Sequence, residues 1–267
     1  MKNKIKRFDL AQVWIKEAGQ RALFYYNKSL DFSYKKDGSV VTKADLEIEQ
    51  FLKKKIELHF PDDNIIGEEF EYRQSTKAKY TWTIDPIDGT FSFAHKLPLF
   101  GNLIGLMEDN YPIMGLIYCP TLKEAIFTLE GHKSIWIKDD IQQNFSSTYN
   151  EDLRNCIISS SGLELIKTKK TKRFYANLLN HVKFERSFGD CYGHLLVATG
   201  RIDFMFDPKL KIWDYVPLIP NLRAAGAELI TINTYKDKSI AAVSCSLGHQ
   251  EFINNLQKLS LKNPIKF

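Results

Sequence analysis

Apolar residues near the start of the chain recur every three or four positions. Leu10, Trp14, Ala18 and Ala22 follow this spacing, which places them on one face of a helix because a helical turn takes 3.6 residues. The pattern predicts an amphipathic helix over about 10–26. The chain therefore opens on a helix that buries one side.

A second helix is predicted both by its periodicity and by its first residues. Ile48, Leu52 and Ile56 keep the helical spacing. Thr42-Lys43-Ala44-Asp45 precedes them and has the form of a capping box, with an acidic residue at its fourth position. Asp45 then lies in the first helical turn, where a carboxylate also interacts favourably with the helix dipole.

Strands and further helices follow in two different orders. The first half continues with predicted strands at 64–67, 80–84, 103–107, 113–118, 125–129 and 134–137. The second half alternates strands at 156–160, 184–187, 202–206, 228–231 and 241–244 with helices near 171–180, 190–200, 214–225 and 249–259. Together they predict an α/β fold of the α+β layered-sandwich kind.

A polar stretch divides the chain into two halves of similar size. Residues 139–152 have no regular apolar pattern and are rich in turn formers. We expect an N-terminal αβ half over 1–140 that carries most of the candidate metal ligands. The C-terminal αβ half, 141–267, would carry the substrate pocket and Asp214.

Composition excludes several classes of protein. The 267 residues are 44% apolar and 26% charged, as in an average globular protein, which argues against disorder, collagen and coiled coil. The charge of +5, from 37 basic and 32 acidic residues, is too small to indicate nucleic acid. Four scattered cysteines and the lack of a signal or membrane-spanning stretch predict a cytoplasmic protein without a membrane partner.

Acidic residues gather where predicted strands stop. They occur in Gly-Glu-Glu at 67–69, Asp-Pro-Ile-Asp-Gly-Thr at 85–90, Asp207 and Trp213-Asp214. Within 85–90, the proline restricts Asp85 to an extended conformation and the glycine permits a turn. Oxygen ligands of this kind suit Mg²⁺ or Mn²⁺ better than Zn²⁺. Taken singly, an aspartate at a strand end is usually a turn residue or a helix cap.

Taken together, these motifs resemble the inositol monophosphatase superfamily. The resemblance rests on GEE at 67–69, WTIDPIDGT at 82–90, LVATGRIDF at 196–204 and WD at 213–214. It covers nearly the whole chain, from KKDGSVVTKAD at 35–45 to the last helices. It implies alternating αβαβα layers, a homodimer, and hydrolysis of a small phosphate monoester by metal-activated water, with two or three Mg²⁺ per site.

The resemblance also assigns metal ligands. Glu68, Asp85 and the backbone carbonyl of Ile87 match a first metal site. Asp85, Asp88 and Asp214 match a second site, so Asp85 would bridge the two ions. The chemistry is consistent, because cations neutralise the charge that phosphoryl transfer spreads over oxygen atoms.

Further roles follow from the same resemblance. Glu68 matches the ligand of a third, more weakly held ion, with Asp45 and Lys36 in positions that orient its water. Gly89 and Thr90 match the phosphate-binding turn. Thr90 and Glu68 match the pair that positions the attacking water. The chain departs from the family at 91–93, where Phe-Ser-Phe follows the turn, and this affects the packing of the turn more than its chemistry.

The substrate is less strongly indicated than the reaction. GDCYG at 189–193 and LIP at 218–220 resemble the histidinol-phosphate phosphatase branch. Gly189, Asp190 and Asp207 are then the substrate-binding candidates, and two carboxylates suit a cationic leaving group. Asp190 is also compatible with a simple helix cap. Inositol 1-phosphate is the alternative substrate.

One alternative belongs to another class of function. Residues 167–173, KTKKTKR, form the strongest basic run, which is usually a solvated helix entrance. It is also compatible with an RNA-binding or transcription-associated protein of the same family. Because every motif acid is present, we expect a phosphatase, and we expect nucleic acid not to be its partner.

Overall fold

A computed structural model describes residues 2–28, 32–35, 38, 40–70 and 74–262. In these residues the helices are α1 Lys2–Tyr26, α2 Lys43–His59, α3 Thr90–Ala94, α4 Lys169–Leu179, α5 Asp190–Ala198, α6 Ile212–Ala224 and α7 Gln250–Lys262. The strands are β1 Phe32–Tyr34, β2 Val40–Thr42, β3 Asn64–Gly67, β4 Tyr80–Asp88, β5 Gly101–Glu108, β6 Tyr111–Cys119, β7 Glu124–Leu129, β8 Lys133–Lys138, β9 Ile141–Gln143, β10 Ile157–Ser160, β11 Phe184–Arg186, β12 Phe204–Leu210, β13 Ala227–Thr234 and β14 Ile240–Ser246.

The first structural unit is built on a seven-stranded sheet. Its strands follow the chain in order from β3 to β9; β3 and β4 are parallel, and the later neighbours are antiparallel. α1 and α2 pack on this sheet, and Trp14, Ile48 and Trp82 are completely or almost completely buried in the core. The layered α/β prediction is confirmed.

The unit boundaries follow the chain only in part. The first unit runs to Asn144 and takes in Ile212–Asn221 as well, whereas the second consists of Phe145–Lys211 and the chain from Leu222 onward. The passage at Asn144 lies inside the polar stretch noted in the sequence. Ile212–Asn221 also belongs to the first unit, so the two units are not consecutive halves of the chain. Asp214 therefore lies in the first unit.

Two paired glycines explain why this segment joins the first unit. Gly105 of β5 and Gly115 of β6 are register partners. A Cβ atom at Gly115 would overlap the Pro217 carbonyl, and one at Gly105 would lie 2.7 Å from Val216. The missing side chains therefore let the backbone of α6 lie directly against the sheet. α6 begins at Ile212 and continues through Pro217 and Pro220 to Ala224.

The second unit has a five-stranded sheet in the order β11-β10-β12-β14-β13. β10 is parallel to both of its neighbours, whereas β12, β14 and β13 pair antiparallel. Phe174 of α4 and Ile253 of α7 are completely buried in the core of this unit, with Phe204 and Phe206 of the sheet. The strand and helix alternation predicted here is confirmed, with boundaries shifted by a few residues.

Local details of the predicted elements agree unevenly with the structure. The capping box is confirmed, because Thr42 and Asp45 exchange the expected hydrogen bonds at the start of α2. α1 begins at Lys2, earlier than its apolar pattern indicated. β4 extends to Asp88, so the predicted strand end at 84 is wrong. Within the described ranges, none of the helices combines the length and apolar character needed to cross a membrane.

Candidate active site

Parallel pairing brings the first two acidic residues to one edge of the sheet. Gly67 of β3 is the register partner of Ile84 of β4, and the next residues along the two strands are Glu68 and Asp85. The Glu68 amide donates to the Ile84 carbonyl at 3.2 Å. Neighbouring parallel strands advance in the same direction, so residues after a register pair stay neighbours. The charge of Glu68 accordingly acts on Asp85.

Asp85, Asp88 and Asp214 form a compact carboxylate cluster. Each offers an oxygen within 4.8 Å of the others. Asp85 is only 2% exposed, whereas Asp88 and Asp214 are half-buried. Burial raises the pKa of Asp85 well above its ordinary value, and the charges of Glu68, Asp88 and Asp214 raise it further. The negative charges of these carboxylates repel one another unless a proton or a cation lies among the oxygens.

Asp45 adds a further buried carboxylate next to Glu68. Its Oδ2 accepts hydrogen bonds from the Thr42 amide at 2.8 Å and the Thr42 hydroxyl at 2.6 Å. Burial raises the pKa of Asp45 to about 6, and the charge of Glu68 contributes, while the bonds from Thr42 oppose the rise. The capping residue of α2 therefore also contributes negative charge to the site.

Lys35 supplies a positive charge to the acidic pair after β3. Its Nζ lies 2.8 Å from Glu68 Oε1 and 2.7 Å from Glu69 Oε1. Burial lowers the pKa of Lys35, but the two carboxylates outweigh it and the net shift is upward. Burial together with Glu68 raises the pKa of Glu69 to about 7. The ammonium group of Lys35 is thus paired with Glu68, a residue that was predicted to bind a metal ion.

Glu49 fixes the backbone that carries these acids. It is completely buried on α2, and its two oxygens accept the amides of Glu69 at 2.8 Å and Phe70 at 3.0 Å. Asp45 and Glu49 are four residues apart, so both lie on the same face of α2. One helix face therefore holds both the capping carboxylate and the anchor of the Glu68-Glu69 segment.

The donor atoms of this site fit a hard divalent cation. Asp45 Oδ1 and Asp85 Oδ1 are buried and have no hydrogen-bond partner among the described residues. Buried carboxylate oxygens are nearly always satisfied, so these atoms point to a ligand. Oxygen donors from carboxylates and carbonyls are those that Mg²⁺ and Mn²⁺ prefer.

The turn after β4 connects the carboxylates to α3. Gly89 has φ 81° and ψ 38°, a left-handed conformation that favours glycine. Thr90 begins α3, and its hydroxyl donates to the Ile87 carbonyl at 2.9 Å. The Thr90 oxygen keeps its lone pairs free to accept a further hydrogen bond.

The predicted substrate residues lie in the second unit. Asp207 is 5% exposed, and its oxygens accept from the Ser161 hydroxyl at 2.7 Å and the Lys209 amide at 3.0 Å. Gly189 directly precedes α5 and has φ 65°, and Asp190, the first residue of α5, has φ 42°. A positive φ is unusual for aspartate and indicates strain. Asp190 is half-buried and lies in the first turn of α5, after the N-cap Gly189.

A second group of possible metal ligands is explained by hydrogen bonds. Cys156, Asp203 and His249 are buried, with ligand atoms within 4.8 Å of one another. His249 Nε2 lies 2.9 Å from the Asn150 carbonyl and Nδ1 lies 3.0 Å from the Ser246 hydroxyl. Asp203 accepts the amide of the residue after Cys156 at 2.8 Å, and burial raises the pKa of the Cys156 thiol to about 12. We interpret this cluster as polar packing.

Some of the predicted site residues lie close together in the structure, and one lies outside the described residues. It brings Asp85, Asp88 and Asp214 together, and it places Glu68 and Asp45 where their charges interact. Lys36, predicted to orient water, lies outside the described residues. The sequence interpretation missed Lys35 and Glu49; the available signal for Glu49 was its position four residues after Asp45.

The layered α/β fold carries a cluster of carboxylates that can hold a metal ion, and comparisons identify the family. The inositol monophosphatase family matches residues 4–260. The histidinol-phosphatase of Chlorobaculum parvum is 33% identical over 81% of this chain and 82% of its own. The inositol-1-monophosphatase of Bacillus subtilis is 30% identical over 84% of both chains.

A solved structure agrees at the level of the fold. The extragenic suppressor protein suhB of Bartonella henselae superposes with a TM-score of 0.82 at 22% identity, covering 96% of this chain and 98% of its own. The match of the family model over 4–260 and the relative at 33% identity show that the chain belongs to the inositol monophosphatase family. It is a phosphomonoester hydrolase of a metal-dependent kind.

Proposed function

We propose that the protein hydrolyses histidinol phosphate to histidinol with Mg²⁺ as its cofactor. The observation that carries the reaction is the cluster of Asp85, Asp88 and Asp214, whose oxygens lie within 4.8 Å of one another. The buried and unbonded Asp85 Oδ1 supports a cation there. The proposed ligands are these three residues together with Glu68 and the Ile87 carbonyl, and Asp45 serves a further, weaker ion.

The residues around the cluster have separate proposed tasks. Bound divalent cations supply positive charge for the phosphoryl oxygens and acidify water. Glu68 accepts a proton from the attacking water. Because the Thr90 hydroxyl proton is engaged with the Ile87 carbonyl, the Thr90 oxygen can accept a hydrogen bond from the same water and orient it. The Gly89 and Thr90 amides are the proposed contacts to phosphate.

The substrate proposal rests on the relatives and on the GDCYG motif. The similarity to a histidinol-phosphatase over four-fifths of both chains favours histidinol phosphate. Asp190 and Asp207, with Gly189, are the proposed contacts to the cationic leaving group. Both Asp207 oxygens accept hydrogen bonds, which hold the side chain in one orientation. Asp207 would therefore attract the cationic leaving group by its negative charge from a fixed position.

The similarity to an inositol-1-monophosphatase supports a second candidate substrate. Phosphate release from histidinol phosphate and inositol 1-phosphate, measured side by side with Mg²⁺, decides between the two. We expect the higher kcat/KM with histidinol phosphate. A higher value with inositol 1-phosphate would overturn the substrate, and no release from any small monoester would overturn the reaction.

The role of Asp207 is tested separately with Asp207→Asn. Loss of its charge should lower kcat/KM for histidinol phosphate by about tenfold while changing inositol 1-phosphate by less than about twofold, because only the first leaving group is cationic. Equal losses for both substrates would contradict the charge argument. Asp237→Asn, at an exposed carboxylate paired with Lys211, is the control.

A further inference from the structure

β4, which carries Asp85 and Asp88, contains one residue too many for a regular ladder. Asp85 pairs with Leu103 and Asp88 pairs with Gly101, and the register shifts between them. Two residues of β4 therefore face a single residue of β5, which is Asn102. This two-to-one pairing is a β-bulge.

The bulge decides on which face of the sheet Asp88 lies. Residues three apart in a regular strand point to opposite faces, so a regular β4 would separate Asp85 from Asp88. Directly opposed residues of antiparallel strands share a face, and Leu103 and Gly101 are two apart on β5. Both partners of the aspartates thus lie on one face, and the bulge alone brings the aspartates to the same side.

A proline makes this bulge necessary. β4 is an inner strand, between β3 and β5, and Pro86 lies in the middle of its motif. Proline cannot donate to a ladder and occurs within inner strands mainly at bulges. The Pro86 carbonyl receives its hydrogen bond from a side chain, because Asn102 Nδ2 donates to it at 2.5 Å.

Asn102 is held tightly in this position. It is completely buried, and its register partner on β6 is Tyr118. Gly19 of α1 leaves room for both, because a Cβ atom there would lie 3.2 Å from Asn102 Oδ1 and would overlap the Tyr118 ring. The amide therefore has little freedom to turn away from Pro86.

The amide of Asn102 is costly to bury. Its Oδ1 has no hydrogen-bond partner within the described ranges, and an unbonded polar atom in a core is unfavourable. An apolar side chain of the same size would fill the space without that penalty. The useful part of the residue is thus its NH₂ group, which reaches the bulge.

We infer that Asn102 is a positioning residue for the cation site: its amide holds the β4 bulge that turns Asp88 to the same face as Asp85. This inference rests on the proposed divalent-cation site. Without the donor, the buried Pro86 carbonyl loses the hydrogen bond from Asn102, so the bulge is held less firmly and the orientation of Asp88 relative to Asp85 is less well defined.

The test measures cation binding without substrate. Mn²⁺ is titrated into the metal-free full-length protein, and the free ion is followed by its electron paramagnetic resonance signal. Asn102→Leu, which keeps the branched shape and removes the donor, should raise the dissociation constant for Mn²⁺ by about tenfold or more, as is typical when a group that supports a metal ligand is lost.

The matched control separates positioning from simple destabilisation. Ile104→Val alters a completely buried residue on the same face of β5, two positions from Asn102, and should lower the thermal midpoint while leaving Mn²⁺ affinity within about twofold. In an Asp88→Asn background, Asn102→Leu should change the affinity by less than about threefold, because the two residues act through the same ligand.

The outcomes distinguish this inference from the proposed function. Wild-type affinity in Asn102→Leu overturns the positioning role, as does equal weakening in Ile104→Val. If Asn102→Leu does not fold, Asn102→Ala, which removes the N–H donors without adding a charge or another donor, is measured against the same criteria. If wild type binds Mn²⁺ no better than Asp85→Asn, the cation site itself is absent and the proposed function fails.

Discussion

Asp85 combines near-complete burial with three neighbouring carboxylates. Burial and the charges of Glu68, Asp88 and Asp214 all raise its pKa, so ionised Asp85 destabilises the metal-free fold. A group with a raised pKa contributes stability at low pH that is lost as the pH rises through its folded pKa. The metal-free protein near neutral pH therefore carries an electrostatic cost at this residue.

Asp85→Asn should relieve that cost and remove function. In EDTA at pH 7.5, we expect the thermal midpoint to rise by about 2–4 °C, corresponding to about 1 kcal/mol. Phosphate release with Mg²⁺ should fall by about a hundredfold or more. Calorimetry and a phosphate assay on the same preparation measure both quantities.

At a surface carboxylate that is paired with a cation, we do not expect substitution by asparagine to raise the thermal midpoint. Lys211 and Ser239 lower the pKa of Asp237, so Asp237→Asn should leave the midpoint unchanged or slightly lower it, and should not affect turnover. An unchanged or lower midpoint for Asp85→Asn would contradict the electrostatic interpretation, and retained turnover would contradict its assignment as a metal ligand.

His194 gives a separate dependence on pH. It is completely buried on α5, with Nδ1 2.9 Å from the Ser244 hydroxyl, and burial lowers its pKa from 6.5 to about 3. Because the folded pKa is depressed, the unfolded chain binds the proton first as the pH falls. The stability from neutral His194 is complete above about pH 6.5 and is lost toward pH 3.

Comparison with His194→Gln isolates this contribution. The difference in free energy of unfolding between wild type and variant should shrink by about 2 kcal/mol between pH 7 and pH 5, at about 1.4 kcal/mol per pH unit below 6.5. Urea unfolding in EDTA at several pH values provides the curves. A difference that is independent of pH would show that His194 takes up its proton equally in both states.

At the scale of elements, the contact between α6 and the sheet determines where Asp214 lies. Gly115 has no side chain to keep the Pro217 carbonyl away. Asp214 lies in the first turn of the same helix. A displacement of α6 from β6 therefore moves a carboxylate of the cluster.

Gly115→Ala should reduce both stability and activity. The added methyl overlaps the Pro217 carbonyl, and overpacking of this kind costs about 1–3 kcal/mol. We expect a lower thermal midpoint and at least about a tenfold loss of kcat, because the cluster loses its geometry. Gly131→Ala is the control: its turn has φ 70° but open space around it, so it should lose stability by strain alone and keep its kcat. Equal kcat values for the two variants would contradict the role of α6.

At the scale of the whole molecule, the cation should couple to folding. The first unit contains Asp85, Asp88 and Asp214, and a ligand that binds only the folded state stabilises it by mass action. At a Mg²⁺ concentration about a hundred times the dissociation constant, we expect about 2.7 kcal/mol of added stability. The thermal midpoint should rise accordingly by about 5–10 °C.

Hydrogen exchange locates this effect. Mg²⁺ should slow amide exchange at 64–70, 80–90 and the start of α6, and Asp214→Asn should abolish the change. Sodium chloride at equal ionic strength is the control for screening. Protection that is spread evenly over the second unit, or that persists in Asp214→Asn, would contradict a site built on these three aspartates. The homodimer implied by the family resemblance stays a prediction.

Local patterns along the chain were enough to predict several of the helices and strands. Helical spacing identified α1 and α2, the capping box fixed the start of α2 at Thr42, and β-branched runs located most strands within a few residues. The residue types were informative as well, because oxygen donors predicted a hard cation. These features depend on neighbours a few positions apart, which a single chain displays.

The assembly of the site, in contrast, depends on how distant segments pack in the folded protein. The parallel pairing of β3 with β4, the bulge opposite Asn102 and the return of α6 to the first unit all depend on contacts between distant segments. Periodicity carries no information about such contacts, and a regular strand through Asp85 and Asp88 would place the two on opposite faces. The packing of Pro86 against Asn102, and of Pro217 against Gly115, is the physical reason why these carboxylates meet.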